Sequence, residues 1–153
     1  MAQAFFARYA PEDLRAESAG PAPADPIWPN VVEAMREVGL DISARKPKRI
    51  DREMQLHADE AITLNCQESC PYVIGDVEDW EVDDPAGRPI ERVRGIRDEI
   101  ERLVRELVED RVHEIRGDRS GHQRRAVRSF VLTLARREAV ECSRAEECYA
   151  VTA

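Results

Sequence analysis

The sequence predicts an α/β chain built around a short parallel sheet. Three observations carry that expectation. Short apolar runs with β-branched residues alternate with helical periodicities along the chain. The run Ala61-Ile62-Thr63-Leu64 is continuous and apolar, as a fully buried strand is. From Ile90 to Val108 apolar residues recur every three to four positions, which describes a long amphipathic helix with Pro89 at its start.

The elements follow in order. Met1 to Tyr9 is rich in Ala and Phe and reads as a helix that Pro11 ends. Arg15 to Ala19 reads as a short strand, and Gly20, Pro21, Pro23, Pro26 and Pro29 form a loop after it. Asn30 caps a helix through Val38, whose apolar face is Val31, Ala34, Met35 and Val38, with Gly39 closing it. Asp51 caps a short helix through His57. The buried strand Ala61–Leu64 runs directly into a cysteine-bearing loop. Trp80 to Val82 reads as a further strand, ended by Asp83-Asp84-Pro85-Ala86-Gly87. After the long helix, Gly117 and Gly121 bracket a polar stretch that reads as a linker. Val127, Phe130, Val131 and Leu134 then repeat with helical spacing, so the expectation is a helical C-terminal tail. The division is residues 1–116 as the α/β unit and 117–153 as linker and tail.

Composition narrows the function classes. Hydrophobic residues make up 42% and charged residues 35% of the 153, which fits one soluble domain with its own core. The formal net charge of -8 argues against nucleic acid and anionic membranes as partners. That charge is uneven: residues 117–153 hold seven Arg against five acidic residues, a net +2, leaving -10 for the rest. No apolar run approaches a membrane span, and no basic-then-apolar start marks a secretory signal. The expectation is a cytoplasmic chain. There, the four cysteines Cys66, Cys70, Cys142 and Cys148 read as catalytic, redox or metal-binding thiols more readily than as structural disulfides.

Cys66 and Cys70 lie just past the carboxyl end of a buried strand, the edge where open parallel sheets gather ligands and catalytic groups. A helical turn over Cys66-Gln67-Glu68-Ser69-Cys70 brings the two thiols within reach of each other. The spacing alone leaves a redox pair and two small buried hydrophobes equally open. A tetrahedral zinc site is a rival, but five residues separate Cys142 from Cys148 and no short knuckle frames either pair. Asp84, held before Pro85, could act as a general acid, but composition alone favours a turn or the cap of the next helix. His57, His113 and His122 are scattered and read as solvated. Glu101 with Arg105 reads as part of a salt-bridged solvent face.

Taken together, these stretches resemble the arsenate reductases of the low-molecular-weight tyrosine phosphatase superfamily. The resemblance rests on Ser18-Ala19-Gly20 with its Pro-rich loop and on Ala34 through Ser43 followed by Lys46-Pro47-Lys48. It also rests on Ala58-Asp59 leading to Ile62-Thr63-Leu64, on Cys70-Pro71, on Trp80 to Gly87 and on Val93 to Ile100. It covers about residues 1–110, and the stretch from Gly117 finds no counterpart. It implies a three-layer phosphatase-like fold, arsenate as substrate, no bound cofactor, and an external thiol reductant, thioredoxin or mycothiol. It also implies Cys66 as the second thiol of a relay, Cys70 as the third and Asp84 as the general acid.

In that family a strand leads into a Cys-x5-Arg-Ser phosphate loop, and the residues that follow resemble Met1-Ala2-Gln3-Ala4-Phe5-Phe6. The resemblance therefore implies that the nucleophile loop and the interior strand before it are missing, through a misassigned start or a truncated gene. An interior strand lost opens two sheet edges, so the expectation is a chain that folds poorly and is inactive as written. Two alternatives stand beside this reading: a tyrosine phosphatase homologue, or a non-catalytic thiol protein that binds arsenite or a metal and uses Cys142 and Cys148.

Overall fold

The computed structural model describes residues 1–21, 23, 26–65, 76–117 and 128–134. Cys66, Cys70, Cys142, Cys148 and His122 lie outside the described residues. The elements are α1 (Ala2–Tyr9), β1 (Leu14–Ala19), α2 (Pro29–Glu37), α3 (Arg52–His57), β2 (Glu60–Leu64), β3 (Asp76–Trp80), α4 (Ile90–Gly117) and β4 (Arg128–Leu134). The four strands form one parallel sheet in the order β1-β4-β2-β3. The α/β class and the parallel sheet expected from the sequence are both present.

β4 is where the structure departs most from the sequence reading. The helical spacing from Val127 to Leu134 does not make a helix: residues 128–134 form a strand. It pairs with β1 from Leu14↔Arg128 to Ala19↔Thr133 and with β2 from Glu60↔Phe130 to Leu64↔Leu134. The stretch Ser-Phe-Val-Leu-Thr-Leu suits either period, and a free place between two parallel strands decides for the extended form. The sheet therefore does not stand open at its centre as expected, and residues 128–134 share one sheet with β1 and β2.

Side chains alternate across the strands and so divide the core into two layers. On one face, Ile62 and Leu64 of β2 and Phe130 of β4 meet α1, α2 and α4. Phe5, Phe6 and Phe130 are fully buried, and the rings of Phe6 and Phe130 lie 5.2 Å apart in a tilted pair. On the other face, Ala61 packs with Ala58, Ile50 and Met54 beside α3. Helices thus cover both faces, the three-layer arrangement.

Most helix ends follow from local chemistry. Asp51 caps α3 as expected, its carboxylate accepting the Met54 N–H at 2.8 Å. Gly39, at φ +76°, closes α2 in a Schellman motif: Gly39 N–H donates to Arg36 O (2.9 Å) and Leu40 N–H to Met35 O (3.0 Å). The start of α2 differs from expectation. Its N-cap is Trp28, with Pro29 in the first turn, while Asn30 lies inside and its side chain binds Arg88 O. The third strand also moves: it covers Asp76–Trp80 rather than 80–82. Its residues 76–79 are exposed because it is an edge strand, and the carboxylates of Asp76, Glu78 and Asp79 around exposed Val77 discourage pairing with other chains. α4 buries Val93, Ile96, Ile100, Val104, Leu107 and Val108, the face read from the sequence.

Ion pairs tie α4 to its neighbours. Arg94 grips the Glu37 carboxylate with Nε and Nη2, and buried Arg97 reaches the same carboxylate (3.0 Å) and Ala34 O (2.8 Å). Nearer the helix end, Arg111 forks onto buried Glu60 at 2.9 and 2.5 Å. Tyr9 of α1 donates to Glu101 and lies under the Arg105 guanidinium, 4.2 Å from the ring centre. The expected Glu101–Arg105 pair forms at 3.0 Å.

Two sets of outcomes follow, the first on β4. Phe130→Ala empties the space under α1 and should cost about 3–5 kcal/mol, a large share of a domain's stability. Ending the chain at residue 127 should abolish cooperative unfolding in urea. Equal urea midpoints for the full and shortened chains would show that β4 does not hold the sheet. The second concerns pH. The hydrogen bond from Arg94 holds Glu37 below its ordinary value, and the hydrogen bond from Tyr9 does the same for Glu101. Each carboxyl binds fewer protons folded than unfolded, so its contribution is present above the unfolded pKa and lost as pH falls through the lowered one. Stability should drop below pH ~4.3, and less steeply in Glu37→Gln. Parallel pH curves for the two would contradict this.

Candidate functional site

β1 ends at Ala19 and β2 at Leu64, and at this carboxyl edge a cavity of about 220 Å³ opens. Gln3, Ser18, Trp28, Lys48, Leu64 and Asp84 are among the residues in its wall. The lining is mostly apolar with a few polar groups aimed inward, the pattern of a small-molecule site. The first turn of α1 borders it through Met1, Ala2 and Gln3.

The polar groups are fixed by one another. Gln3 donates from Nε2 to Ala16 O (3.1 Å), which locks its amide across β1. Its Oε1 then accepts from Ser18 Oγ (2.8 Å) and from Arg45 Nη1 (3.2 Å). Asp84 stands half-buried in the opposite wall, and its carboxylate accepts the Ala86 N–H at 2.8 Å. Gly87 follows at φ +65°, a left-handed conformation that turns the chain toward α4. The general-acid and turn-cap readings of Asp84 are therefore compatible: the turn orients the carboxyl at the cavity.

Leu64 lines the cavity, and Asn65 turns the chain off β2 with φ +54° while its N–H donates to Trp80 O at 2.9 Å. Cys66 is the next residue in the chain, although it and Cys70 lie outside the described residues. Gln3, Trp28 and Arg45 were not singled out from the sequence. Only Arg45 carried a signal, in a run of cations around Pro47; Gln3 matters through contacts 13 to 42 residues away, which no local pattern shows. His57 and His113 are exposed, and among the described residues no group of three or more His, Cys, Asp or Glu is arranged to hold a metal. No helix among them is long and apolar enough to cross a membrane.

A family profile described as low molecular weight phosphotyrosine protein phosphatase matches residues 1–119. The chain belongs to that family. Among curated relatives, a Halobacterium salinarum protein whose name proposes an arsenate reductase is 38% identical over 92 residues, 60% of this chain and 65% of that one. Arsenate reductase 2 of Staphylococcus haemolyticus is 37% identical over 82 residues, 51% of this chain and 63% of that one. The chain thus spans just under two thirds of the length of these relatives. A solved structure titled "An arsenate reductase in the reduced state" superposes with a TM-score of 0.59 over 71% of this chain and 86% of that one, at 23% identity. That likeness shows the phosphatase fold.

The two duties of Asp84 can be separated. Asp84→Asn keeps an oxygen for the Ala86 N–H, so its unfolding free energy should stay within ~0.5 kcal/mol of the parent, whereas Asp84→Ala should lose about 1 kcal/mol. Equal losses in urea melts would show that the hydrogen bond does not set the turn.

Proposed function

We propose that this chain serves arsenate reduction through cysteine thiols, with the cavity at the carboxyl edge of the sheet as the reaction site. The observation that carries the reading is the placement of β2. It ends with Leu64 in the cavity wall, Asp84 lines the same cavity, and Cys66 follows two positions later in the sequence. The phosphatase family and arsenate reductase relatives of 37–38% identity support this choice over phosphate ester hydrolysis, which needs no further thiols after the strand.

In the proposed reaction a thiolate attacks arsenate and water leaves, forming a sulfur–arsenic bond. Cys66 then attacks that sulfur. A disulfide forms, its two electrons go to arsenic, and arsenite departs. Asp84 supplies the proton for the departing oxygen. Cys70 attacks the disulfide in turn and carries it to an external reductant, either thioredoxin or a small thiol such as mycothiol. We place the reaction in the cytoplasm, where such reductants keep thiols reduced. The Cys-x5-Arg pattern of the attacking loop does not occur within the 153 residues. The reading therefore assigns this chain the resolving thiols and the cavity, and the attacking thiolate to a group outside this sequence.

Arsenite release is the direct test, measured on protein purified from its native cells with each reductant. Cys66→Ser and Cys70→Ser should lower it about 100-fold or more, while Cys142→Ser and Cys148→Ser should stay within about twofold. Equal losses at all four cysteines, or ester hydrolysis without arsenite release, would overturn the assignment. The 153-residue chain alone should release no arsenite.

A further inference from the structure

Four of the chain's 23 basic residues, Arg45, Lys46, Lys48 and Arg49, fall within five positions, in a chain of net charge -8. All four are exposed, and Pro47 and Lys48 line the cavity. The segment is held to the sheet by its backbone. Gly20 N–H donates to Lys48 O and Ile50 N–H to Gly20 O, both at 3.0 Å, so Arg49 bridges in parallel beside the carboxyl end of β1. A basic run on a free loop spreads its charge through solvent, whereas this one is fastened at the cavity mouth. Arg45 is tied to the cavity wall by its hydrogen bond to Gln3 Oε1, an uncharged acceptor that does not neutralise the guanidinium.

The acidic groups nearby do not cancel this. Glu17 pairs with Lys48 at 3.2 Å and takes up that one charge. Asp84 stands in the opposite wall and is oriented by Ala86. Among the described residues Lys46 and Arg49 make no ion pair, and the Arg45 guanidinium hydrogen-bonds only to the Gln3 amide oxygen.

We propose that Arg45, Lys46, Lys48 and Arg49 form a recruitment site for tetrahedral oxyanions on the cavity rim. A rim of net positive charge over an apolar cavity concentrates anions at its mouth and raises their rate of entry in an otherwise repelling, acidic protein. The site rests on the arsenate reading for the identity of the natural anion and not for binding itself. The chemistry it recognises, a doubly charged tetrahedral oxyanion, occurs both free and as a phosphoryl ester.

The test is a titration of the 153-residue chain with inorganic phosphate, and separately with phenyl phosphate, followed by amide chemical shifts. Shifts should centre on residues 45–50 with Gln3 and Ser18. A stronger response to the ester would assign the site to phosphoryl groups, and a response at least as strong to phosphate to the free anion. In the double variant Lys46→Gln, Arg49→Gln, and in Arg45→Gln, the dissociation constant should rise about threefold or more at low salt, and the difference should fade as the ionic strength approaches ~1 M, where screening reaches only about 3 Å. These side chains are exposed, so the spectra should otherwise match the parent. Unchanged affinity in both variants, or shifts that centre elsewhere, overturns the proposal. The two readings fail separately: phosphate binding at the rim survives a chain that takes no part in arsenate reduction. Conversely, arsenate reduction whose KM and salt dependence ignore the double variant removes the rim site alone.

Discussion

The ladder on both sides of β4 is the constraint on which the rest of the structure depends. β1 and β2 do not touch each other; each is paired to β4, and only through it are they one sheet. Their spacing sets the width of the carboxyl edge, and so the cavity that lies between Ser18 on one side and Leu64 and Asp84 on the other. Phe130 adds a packing bond to the backbone one, since it stands under α1 against Phe6 and thereby holds the first turn of that helix at the cavity. The last described strand in the chain thus positions a site whose described residues all come from its first 100 positions.

The second level is α4, which organises the helical layer by charge as much as by its apolar stripe. Arg94 and Arg97 converge on Glu37, Tyr9 and Arg105 on Glu101, and Arg111 on Glu60. Three pairs reach three different elements: α2, α1 and β2. The exposed pairs contribute little each, but buried Glu60 and Arg97 need their partners, because an unpaired charge in the core costs several kcal/mol. The helix therefore fixes the orientation of α1 and α2 around the cavity without lining much of it.

How much of this was legible depended on whether the deciding physics is local. α3 was readable because Asp51 caps it within four residues, the end of α2 because Gly39 must turn left-handed, and α4 because its stripe repeats through five turns. Ala61–Leu64 was readable because burial on both faces leaves a solid apolar run. β3 was displaced because an edge strand shows no such run; Asp76-Val77-Glu78-Asp79 looks like a loop until β2 is beside it. β4 was misread for a stronger reason. Its extended form is imposed by two strands more than 60 and 100 residues away, and its own pattern fits a helix equally well. In the site, Asp84 was legible from Asp-Pro in a turn. Gln3 and Arg45 were not, since their hydrogen bonds join α1, β1 and the loop before α3.

The account stands on β4 being the inner strand of the sheet in solution, and native-state hydrogen exchange of the 153-residue chain reads this directly. Amides of inner strands open only with the whole domain, while frayed segments exchange freely. The account predicts that amides of residues 128–134 exchange as slowly as those of Glu60–Leu64. Exchange of 128–134 at the rate of an unstructured peptide, with β1 and β2 still protected, would contradict it and return the centre of the sheet to a strand from elsewhere.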